Sequence, residues 1–262
     1  TFGPGTGVGV RIIDGAADNA VRGNLIGVDS TGMMALGNAS HGVEIVDAPR
    51  NQIGDPDPGG GNVISASGGD GVHIRTETPL SSADENNVLG NRIGVNLDGT
   101  AALGNLGVGV RIAGAANNVV GMPDESSGGG GNVISGNAGV GVLVESLDTD
   151  RRADDNTIAG NLIGTTATGD GALPNAGGIV IVNDARNIVG GDAAGQGNVI
   201  SGNEGDGLVI ESPLLGILSN QAQVLGNFIG VNADGSQALA NVGRGVVIRD
   251  GLDHLIGGPV GG

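Results

Sequence analysis

Short runs of β-branched residues, separated by glycine, asparagine and aspartate, follow one another along most of the chain. One run reads glycine, aliphatic residue, any residue, then isoleucine or valine, and it recurs eight times between GVRI at 9–12 and GVVI at 245–248. Its apolar residues alternate with a period of two, as in a half-buried strand, and the runs are too short and too rich in glycine for helices. The pattern predicts an all-β protein.

A second run, with the form Gly-Asn-x-Ile, defines the repeat. It stands as GNVISGN at 131–137 and again at 197–203, and its asparagines are separated alternately by 29 residues and by 37–41 residues. A third run, such as NTIAG at 156–160, precedes it. The asparagines of the Gly-Asn-x-Ile column are Asn24, Asn62, Asn91, Asn132, Asn161, Asn198 and Asn227.

Three strands in each repeated unit predict a solenoid. The first run covers 236 residues from Gly9 to Gly245 in seven steps, so one unit averages about 34 residues. Stacked units bury a continuous apolar column that a single unit could not bury. We therefore expect a triangular parallel β-helix of about eight three-stranded turns, forming one domain over residues 1–262 and belonging to a longer array of repeats.

Alternation also predicts which side chains of Gly-Asn-x-Ile point inward. Arg92 occupies the x position in one unit and does not fit so narrow an interior, so x points outward while Asn and Ile point inward. We expect the seven asparagines to form a structural ladder in which each side-chain amide bonds the next and satisfies buried turn groups. The preceding glycine is expected to supply turn dihedral angles that a β-carbon would forbid.

An insertion of eleven residues lengthens every second unit, at 28–38, 95–105, 165–175 and 231–241. All four copies contain an Ala-Leu pair, which predicts a flap that folds over the apolar x positions. The flaps also carry oxygen-bearing side chains, and Asp29, Asp98 and Asp234 are candidate calcium ligands because hard cations take carboxylate oxygens. Turn formation by Asp, Asn and Thr explains the same residues without calcium. No other cofactor is predicted.

Composition narrows the range of partners. The chain has 28 acidic residues against 11 basic ones, all of them arginine, and its formal charge of −17 repels nucleic acid and anionic lipid. No apolar run approaches the roughly 18 residues of a membrane-spanning helix, so membrane insertion is not expected. Two phenylalanines are the only large aromatic residues, which argues against the aromatic platforms that sugar clefts usually offer.

The three columns together resemble the right-handed parallel β-helix repeat proteins of the pectin-lyase-like superfamily. Alternation of GNVISGN units with units that carry an ALGN flap is most similar to repeat regions of large bacterial surface and secreted proteins. The resemblance covers all of 1–262 and implies an extracellular or cell-surface scaffold, stalk or adhesive module that associates end to end or with neighbouring repeats. Because the superfamily also contains polysaccharide lyases, hydrolases and epimerases, the alternative is a polysaccharide-active enzyme.

The charged residues that such an enzyme would use have simpler explanations in the sequence, and no catalytic residue is predicted. Outward arginines of the first run stand beside glutamates in the same or neighbouring columns, as cross-strand ion pairs would. The acidic segment ESLDTDRRADDN at 145–156 falls between strands, where a solvated turn explains it better than the carboxylates of a glycoside hydrolase. The arginines are Arg11, Arg75, Arg111 and Arg249, and the glutamates are Glu44, Glu145 and Glu211.

The histidines give no further candidate. His41, His73 and His254 are scattered along the sequence without metal-ligand spacing, so each is interpreted as a surface residue. The resemblance implies that an epimerase of the alginate type would need a tyrosine together with a histidine. This chain contains no tyrosine.

Overall fold

Residues 7–122, 131–213 and 219–258 are described by the computed structural model of the chain. Over these ranges the chain coils into a three-sided solenoid of parallel strands, with turns between them and no helix. Two of the sheets have eight strands and the third has seven, which makes about seven complete turns and confirms the predicted parallel β-helix. No segment in these ranges forms a helix with the length and apolar character that a membrane crossing requires.

The runs that begin with Gly9 form the first side of the solenoid, sheet 1. Each strand has four residues and starts directly after the glycine. The first and third residues point inward and the second points outward: Val72 and Ile74 are completely buried, whereas His73 between them is partly exposed. The strands are β1 (Val10–Ile13), β4 (Val43–Val46), β7 (Val72–Arg75), β10 (Val110–Ala113), β13 (Val142–Glu145), β16 (Ile179–Val182), β19 (Leu208–Glu211) and β22 (Val246–Arg249).

Shorter strands build the other two sides, and sheet 3 carries the Gly-Asn-x-Ile runs. Sheet 2 consists of β2 (Ala20–Val21), β5 (Gln52–Ile53), β8 (Asn87–Val88), β11 (Val119–Gly121), β14 (Thr157–Ala159), β17 (Ile188–Gly190), β20 (Gln223–Leu225) and β23 (Leu255–Ile256). Sheet 3 consists of β3 (Leu25–Ile26), β6 (Val63–Ile64), β9 (Arg92–Ile93), β12 (Val133–Ile134), β15 (Leu162–Ile163), β18 (Val199–Ile200) and β21 (Phe228–Ile229).

Strands pair in register with the strands one turn away, so like side chains stack along the solenoid. Ile64 of β6, for example, lies opposite Ile26 of β3 and Ile93 of β9. Ile64 and Ile93 are completely buried, and each such side chain contributes about 1.5–3 kcal/mol of hydrophobic stabilisation. Because a single turn contains too few apolar residues to exclude water, this stabilisation depends on stacking.

The predicted asparagine ladder runs the length of sheet 3. Each of its first six asparagines donates from Nδ2 to the Oδ1 of the next at 2.9–3.0 Å. The amides also bond the backbone: Asn91 Oδ1 accepts the N–H of Asn62 at 3.1 Å, and Asn91 Nδ2 donates to the carbonyl of Ile53 at 2.8 Å. The ladder therefore satisfies backbone groups that burial would otherwise leave unpaired.

Two further asparagine columns, which were not predicted from the sequence, line the other corners. In one, the last residue of a flap meets the second asparagine of GNVISGN, so that Asn105, Asn137 and Asn175 are joined by Nδ2–Oδ1 bonds of 2.9 and 3.0 Å. In the other, Asn51 Nδ2 donates to Asn86 Oδ1 at 3.2 Å. The heptapeptide GNVISGN thus supplies one rung to each of two ladders.

The glycine before each asparagine of the sheet 3 ladder has two different roles, which corrects the prediction that it always supplies a turn dihedral. In units that carry a flap the glycine does have a left-handed φ, as in Gly90 at +66°. In units without a flap φ lies outside that range, yet a β-carbon on Gly131 would lie 1.7 Å from the carbonyl oxygen of Gly160. In those units the close approach of the next turn excludes a side chain.

The eleven-residue insertions fold over sheet 3 as predicted. Flaps extend only from every second turn, yet successive flaps are hydrogen-bonded to each other. The N–H of Leu97 donates to the carbonyl of Gly32, and the N–H of Ala167 donates to the carbonyl of Gly99, both at 2.9 Å. The flaps thereby bridge the intervening turn. Val63, which occupies an outward x position in that turn, is 2% exposed.

Candidate functional site

Ion pairs cross from one turn to the next on the outer face of sheet 1. Arg11 donates from Nε to Glu44 Oε2 at 2.7 Å, and Arg75 of the following turn donates from Nη2 to Glu44 Oε1 at 3.2 Å. Glu44 is 6% exposed, and the two guanidinium groups stabilise its buried charge. The predicted cross-strand pairs are therefore present, and Arg111 with Glu145 and Arg249 with Glu211 form the others.

A groove of about 600 Å³ lies on the same face, and strands β7 and β10 form its floor. His73, Arg75 and Arg111 project into it from these strands. Arg151 reaches the groove from the loop after β13 and donates from Nη1 to the carbonyl of Glu77 at 2.8 Å, which joins the two loops that flank the groove. Three guanidinium groups thus converge there, and their planar donors suit the carboxylate and hydroxyl groups of a sugar.

His73 of this groove also belongs to a cluster that was not predicted from the sequence. His41 and His73, which the sequence suggested were unrelated surface residues, have ring centroids 4.7 Å apart. Asp70 Oδ2 lies 3.3 Å from His73 Nδ1 and 3.6 Å from His41 Nδ1. The side chains of His41, Asp70 and His73 are 21%, 7% and 12% exposed, so solvent reaches the two rings while the carboxylate is buried.

These three residues lie together because the strands of consecutive turns pair in register. His41 and Asp70 each directly precede the glycine of a sheet 1 run, in consecutive turns, and stacked turns place equivalent residues beside each other. His73 is the outward residue of β7, three positions after Asp70. The signal was present in the sequence, because aligning the position before the glycine puts His41 and Asp70 in one column.

The carboxylate of Asp70 also holds the loop before β10 through a hydrogen bond. Its Oδ1 accepts the N–H of Val108 at 2.8 Å, while the N–H of Asp70 itself donates to His41 Nδ1 at 3.0 Å. His41 Nε2 and His73 Nδ1 are 3.4 Å apart. Burial, followed by the charges of His41 and of the groove arginines, lowers the pKa of His73 to about 3, so this ring is neutral at neutral pH.

Asp184 is a buried carboxylate on another side of the solenoid. It lies three residues before a ladder asparagine, a position that holds alanine in the turns before it. Its Oδ1 accepts the hydroxyl of Ser146, and its Oδ2 has no hydrogen-bond partner among the described residues. Burial raises the pKa of Asp184 well above its ordinary value. The alanines at the equivalent position are Ala48, Ala83, Ala115 and Ala153, all of them fully buried.

The calcium candidates Asp29, Asp98 and Asp234 lie on three different flaps. Asp29 Oδ1 accepts the N–H groups of the residues four and five positions further on, both at 3.0 Å. Asn96 occupies the same place in the next flap, and its Oδ1 accepts the two equivalent bonds at 2.9 and 3.1 Å. Asp234 Oδ1 accepts the N–H of Ser236 at 2.9 Å. Turn formation accounts for these bonds, and calcium binding stays a prediction.

The acidic segment 145–156 forms the end of β13 and the loop before β14. Asp148 Oδ2 accepts a hydrogen bond from Arg151 Nε at 3.0 Å, within the same loop. Asp155 accepts one from Arg186 Nε of the next turn at 2.7 Å. These carboxylates are engaged by arginines, as expected for a turn that is held to its neighbours.

A second groove, of about 650 Å³, lies between the flaps and the loop 54–61 on the outer face of sheet 3. Val63, Val133 and Leu162 line it together with polar residues, so its surface is about evenly polar and apolar. The charged residues that line it are Asp55, Asp57 and Arg92. It has fewer charged groups than the groove of sheet 1, and we regard the sheet 1 groove as the candidate functional site.

Comparison with known proteins supports the architecture. No family model matches the chain, and no curated protein matches it in sequence. Among solved structures, the crystal structure of a double mutant of the periplasmic alginate epimerase AlgG matches with a TM-score of 0.52 at 14% identity. The match covers 95% of this chain and 47% of that one, so this chain spans about half the length of the AlgG structure. At this identity the likeness establishes a shared parallel β-helix fold.

Proposed function

We propose that the chain is a structural module of a bacterial surface or secreted solenoid, serving as a scaffold or adhesive stalk without catalysis. The bonding between successive turns is the observation that carries this proposal, as in the bond of 3.0 Å from Asn91 Nδ2 to Asn132 Oδ1. Self-association is proposed at an exposed strand edge. Ile248 of β22 and Ile256 of β23 are 43% and 44% exposed, whereas Ile181 in the interior is completely buried. A second copy stacked on this edge would pair the free edges of β22 and β23 and cover both isoleucines.

The way the described residues are bonded supports a mechanical role. Three asparagine ladders and the isoleucine columns tie each turn to the next inside the solenoid. Outside, ion pairs such as those of Glu44 with Arg11 and Arg75 join three successive turns. Polar groups that an enzyme would keep free for a substrate are thus largely used between turns.

Analytical ultracentrifugation of the 1–262 chain over a range of concentrations tests the proposal. We expect the sedimentation coefficient to rise with concentration, because end-to-end stacking buries Ile248 and Ile256. Ile248→Glu should abolish this rise. Leu80→Glu is the matched control, since Leu80 is fully exposed on a side loop. A wild-type chain that stays monomeric, or a control that loses association as completely as Ile248→Glu, contradicts the proposal.

The proposed location is outside the bacterial cytoplasm. The resemblance to surface and secreted repeat proteins supports it, and the AlgG protein of similar fold is periplasmic. The absence of cysteine removes any dependence of folding on the redox state of the compartment. Fractionation of cells that express the protein tests the location: recovery in the cytoplasm alone contradicts it.

A second candidate function is action on a polysaccharide in the groove of sheet 1. The observation in its favour is that Arg75, Arg111 and Arg151 converge beside the neutral imidazole of His73, and the AlgG protein of similar fold is an alginate epimerase. Incubation with alginate and with neutral polysaccharides, followed by ultraviolet absorbance and proton NMR, distinguishes the candidates. The scaffold predicts no product. Product formation that His73→Gln abolishes would establish the enzyme.

A further inference from the structure

We infer that His41, Asp70 and His73 form a binding site for a divalent transition metal ion of the zinc class, which joins two successive turns of sheet 1. The inference goes beyond the proposed scaffold function and does not depend on it. Each residue offers one ligand atom, and the three atoms lie within 4.8 Å of one another. In the described part of the chain, this is the group of histidines and acidic residues with that geometry.

The first argument is the spacing of the ligand atoms. His73 Nδ1 lies 3.3 Å from Asp70 Oδ2 and 3.4 Å from His41 Nε2. Ligands of a tetrahedral zinc ion with bonds of about 2.0–2.1 Å lie about 3.3–3.4 Å apart. The cluster therefore already has two edges of the coordination polyhedron, and a small movement of the rings would complete the third.

The second argument concerns the ring protons of the two histidines. When both rings are neutral, no placement of these protons gives every short contact in the cluster one donor and one acceptor. His41 Nδ1 accepts the N–H of Asp70, which leaves the proton of a neutral His41 on Nε2, pointing at His73 Nδ1. Asp70 Oδ2 then faces a lone pair at 3.3 Å. If His73 Nδ1 instead carries a proton for Asp70, two N–H groups face each other at 3.4 Å. A cation between the three atoms removes this conflict.

One existing hydrogen bond has to give way when the ion binds. His41 Nε2 presents a lone pair to the metal when the ring proton lies on Nδ1, so Nδ1 then no longer accepts the N–H of Asp70. Asp70 Oδ1 keeps its bond to the N–H of Val108, because the metal takes Oδ2. Most of the local backbone is therefore already arranged for the bound state.

The surroundings allow a cation to enter and stay. The positive charges of Arg111 and Arg75 act on His73, and Glu145 and Glu44 accept hydrogen bonds from these two arginines. His73 lines the groove of sheet 1, which gives the ion a path from solvent. Two imidazoles with one carboxylate favour zinc and cobalt over calcium and magnesium, which take oxygen ligands.

Isothermal titration calorimetry of the 1–262 chain with zinc chloride tests the inference, and cobalt(II) chloride supplies a visible spectrum of the bound ion. We expect one ion per chain, a tetrahedral cobalt spectrum and a higher melting temperature with zinc. His73→Gln and Asp70→Asn should each weaken zinc binding at least about tenfold. Asp70→Asn retains an oxygen for the N–H of Val108, so it removes the ligand while preserving the loop.

His254→Asn is the matched control, because His254 lies near the end of the solenoid and not in the cluster. It should bind zinc as the wild type does. Circular dichroism in the presence of a chelator must show the same fold for every variant. The inference is overturned if wild-type chain binds no zinc, if His254→Asn loses as much affinity as His73→Gln, or if calcium competes with zinc at equal concentration.

Discussion

The side-chain nitrogen of Asn91 donates a hydrogen bond to the side-chain oxygen of Asn132 at 3.0 Å, although 41 residues separate the two in sequence. This is the longest interval in the ladder, and the flap at 95–105 accounts for most of its extra length. The neighbouring step, from Asn62 to Asn91, spans 29 residues and has a bond of 2.9 Å. Chain length between rungs therefore has no effect on stacking, because the flap leaves the solenoid and returns to the same corner.

Removal of a middle rung is expected to destabilise the solenoid strongly. Asn91→Ala leaves the buried N–H of Asn62 without its acceptor and removes one of the two hydrogen bonds to the carbonyl of Ile53, which also accepts the N–H of Leu89. It should therefore lower the free energy of unfolding by about 2–4 kcal/mol. Urea unfolding followed by circular dichroism measures the loss. Asn24→Ala is the control, since Asn24 is an exposed end rung and its loss should cost about 1 kcal/mol or less. Equal losses would contradict the ladder's role.

Alanine substitutions at two neighbouring glycines compare the cost of a strained backbone dihedral with the cost of a clash with the next turn. A β-carbon on Gly197 would lie 1.9 Å from the carbonyl oxygen of Gly226, so Gly197→Ala should lower the free energy of unfolding by about 3 kcal/mol or more. Gly195 has a φ of +81° and open space around it, so Gly195→Ala should cost about 1–2 kcal/mol. Thermal unfolding of both variants makes the comparison. A larger loss for Gly195→Ala would show that the turns do not approach as described.

The buried carboxylate of Asp184 should make stability depend on pH. Below its ordinary pKa of 3.8 the group is protonated in both states. As the pH rises, the unfolded chain releases this proton while the folded chain retains it, because burial and Asp154 raise the folded-state pKa more than Ser146 and Arg152 lower it. The free energy of unfolding therefore falls from about pH 4 towards the raised pKa.

Asp184→Ala, which restores the alanine of the other turns, should be more stable than the wild type at pH 7 and close to it at pH 3.5. Asp184→Asn separates charge from size, since it is neutral but similar in shape. Urea midpoints measured from pH 3.5 to pH 7 follow the difference. If the wild type gains stability over both variants as the pH rises, the carboxylate is stabilised when charged and the interpretation is wrong.

Calcium binding by the flaps has a direct test. Because Asp29 bonds the same backbone positions as Asn96 does in the next flap, we expect Asp29→Asn to leave the melting temperature unchanged, with calcium chloride or with a chelator. Differential scanning calorimetry measures both conditions. A rise in the wild-type melting temperature with calcium that Asp29→Asn removes would instead establish Asp29 as a ligand.

The fold was predictable because similar residues recur once in every turn at the positions that point inward. Arg92 at the x position decided which residues face out, and the structure places Asn91 and Ile93 on the inside. The role of Gly131 was not predictable, because the sequence carries no information on how closely the next turn approaches. Whether a glycine is needed for its φ or for space depends on the flap of its own unit.

The candidate site was less predictable than the fold. The ion pairs of Glu44 followed from the order of charged residues in one column. The contact of His41 with Asp70 also lay in a column, at the position before the glycine, but 29 residues separate the two and neither belongs to a strand. Arg151 reaches the groove from the loop 146–156, which is as long as the loop 76–86 on the other side of the groove, but the repeat pattern does not indicate that Arg151 bonds the carbonyl of Glu77.

Disulfide formation between engineered cysteines tests the three-sided coil most directly, because the chain contains no cysteine of its own. Leu143 and Val180 face outward and are partners in adjacent strands of sheet 1, whose backbones lie about 4.8 Å apart. Val209 lies one strand further, about 9.6 Å from Leu143, beyond the reach of a disulfide. Thiol titration after mild oxidation should show a closed disulfide in Leu143→Cys/Val180→Cys and free thiols in Leu143→Cys/Val209→Cys. Free thiols in the adjacent pair, or equal oxidation of both pairs, would contradict the stacking on which the whole account depends.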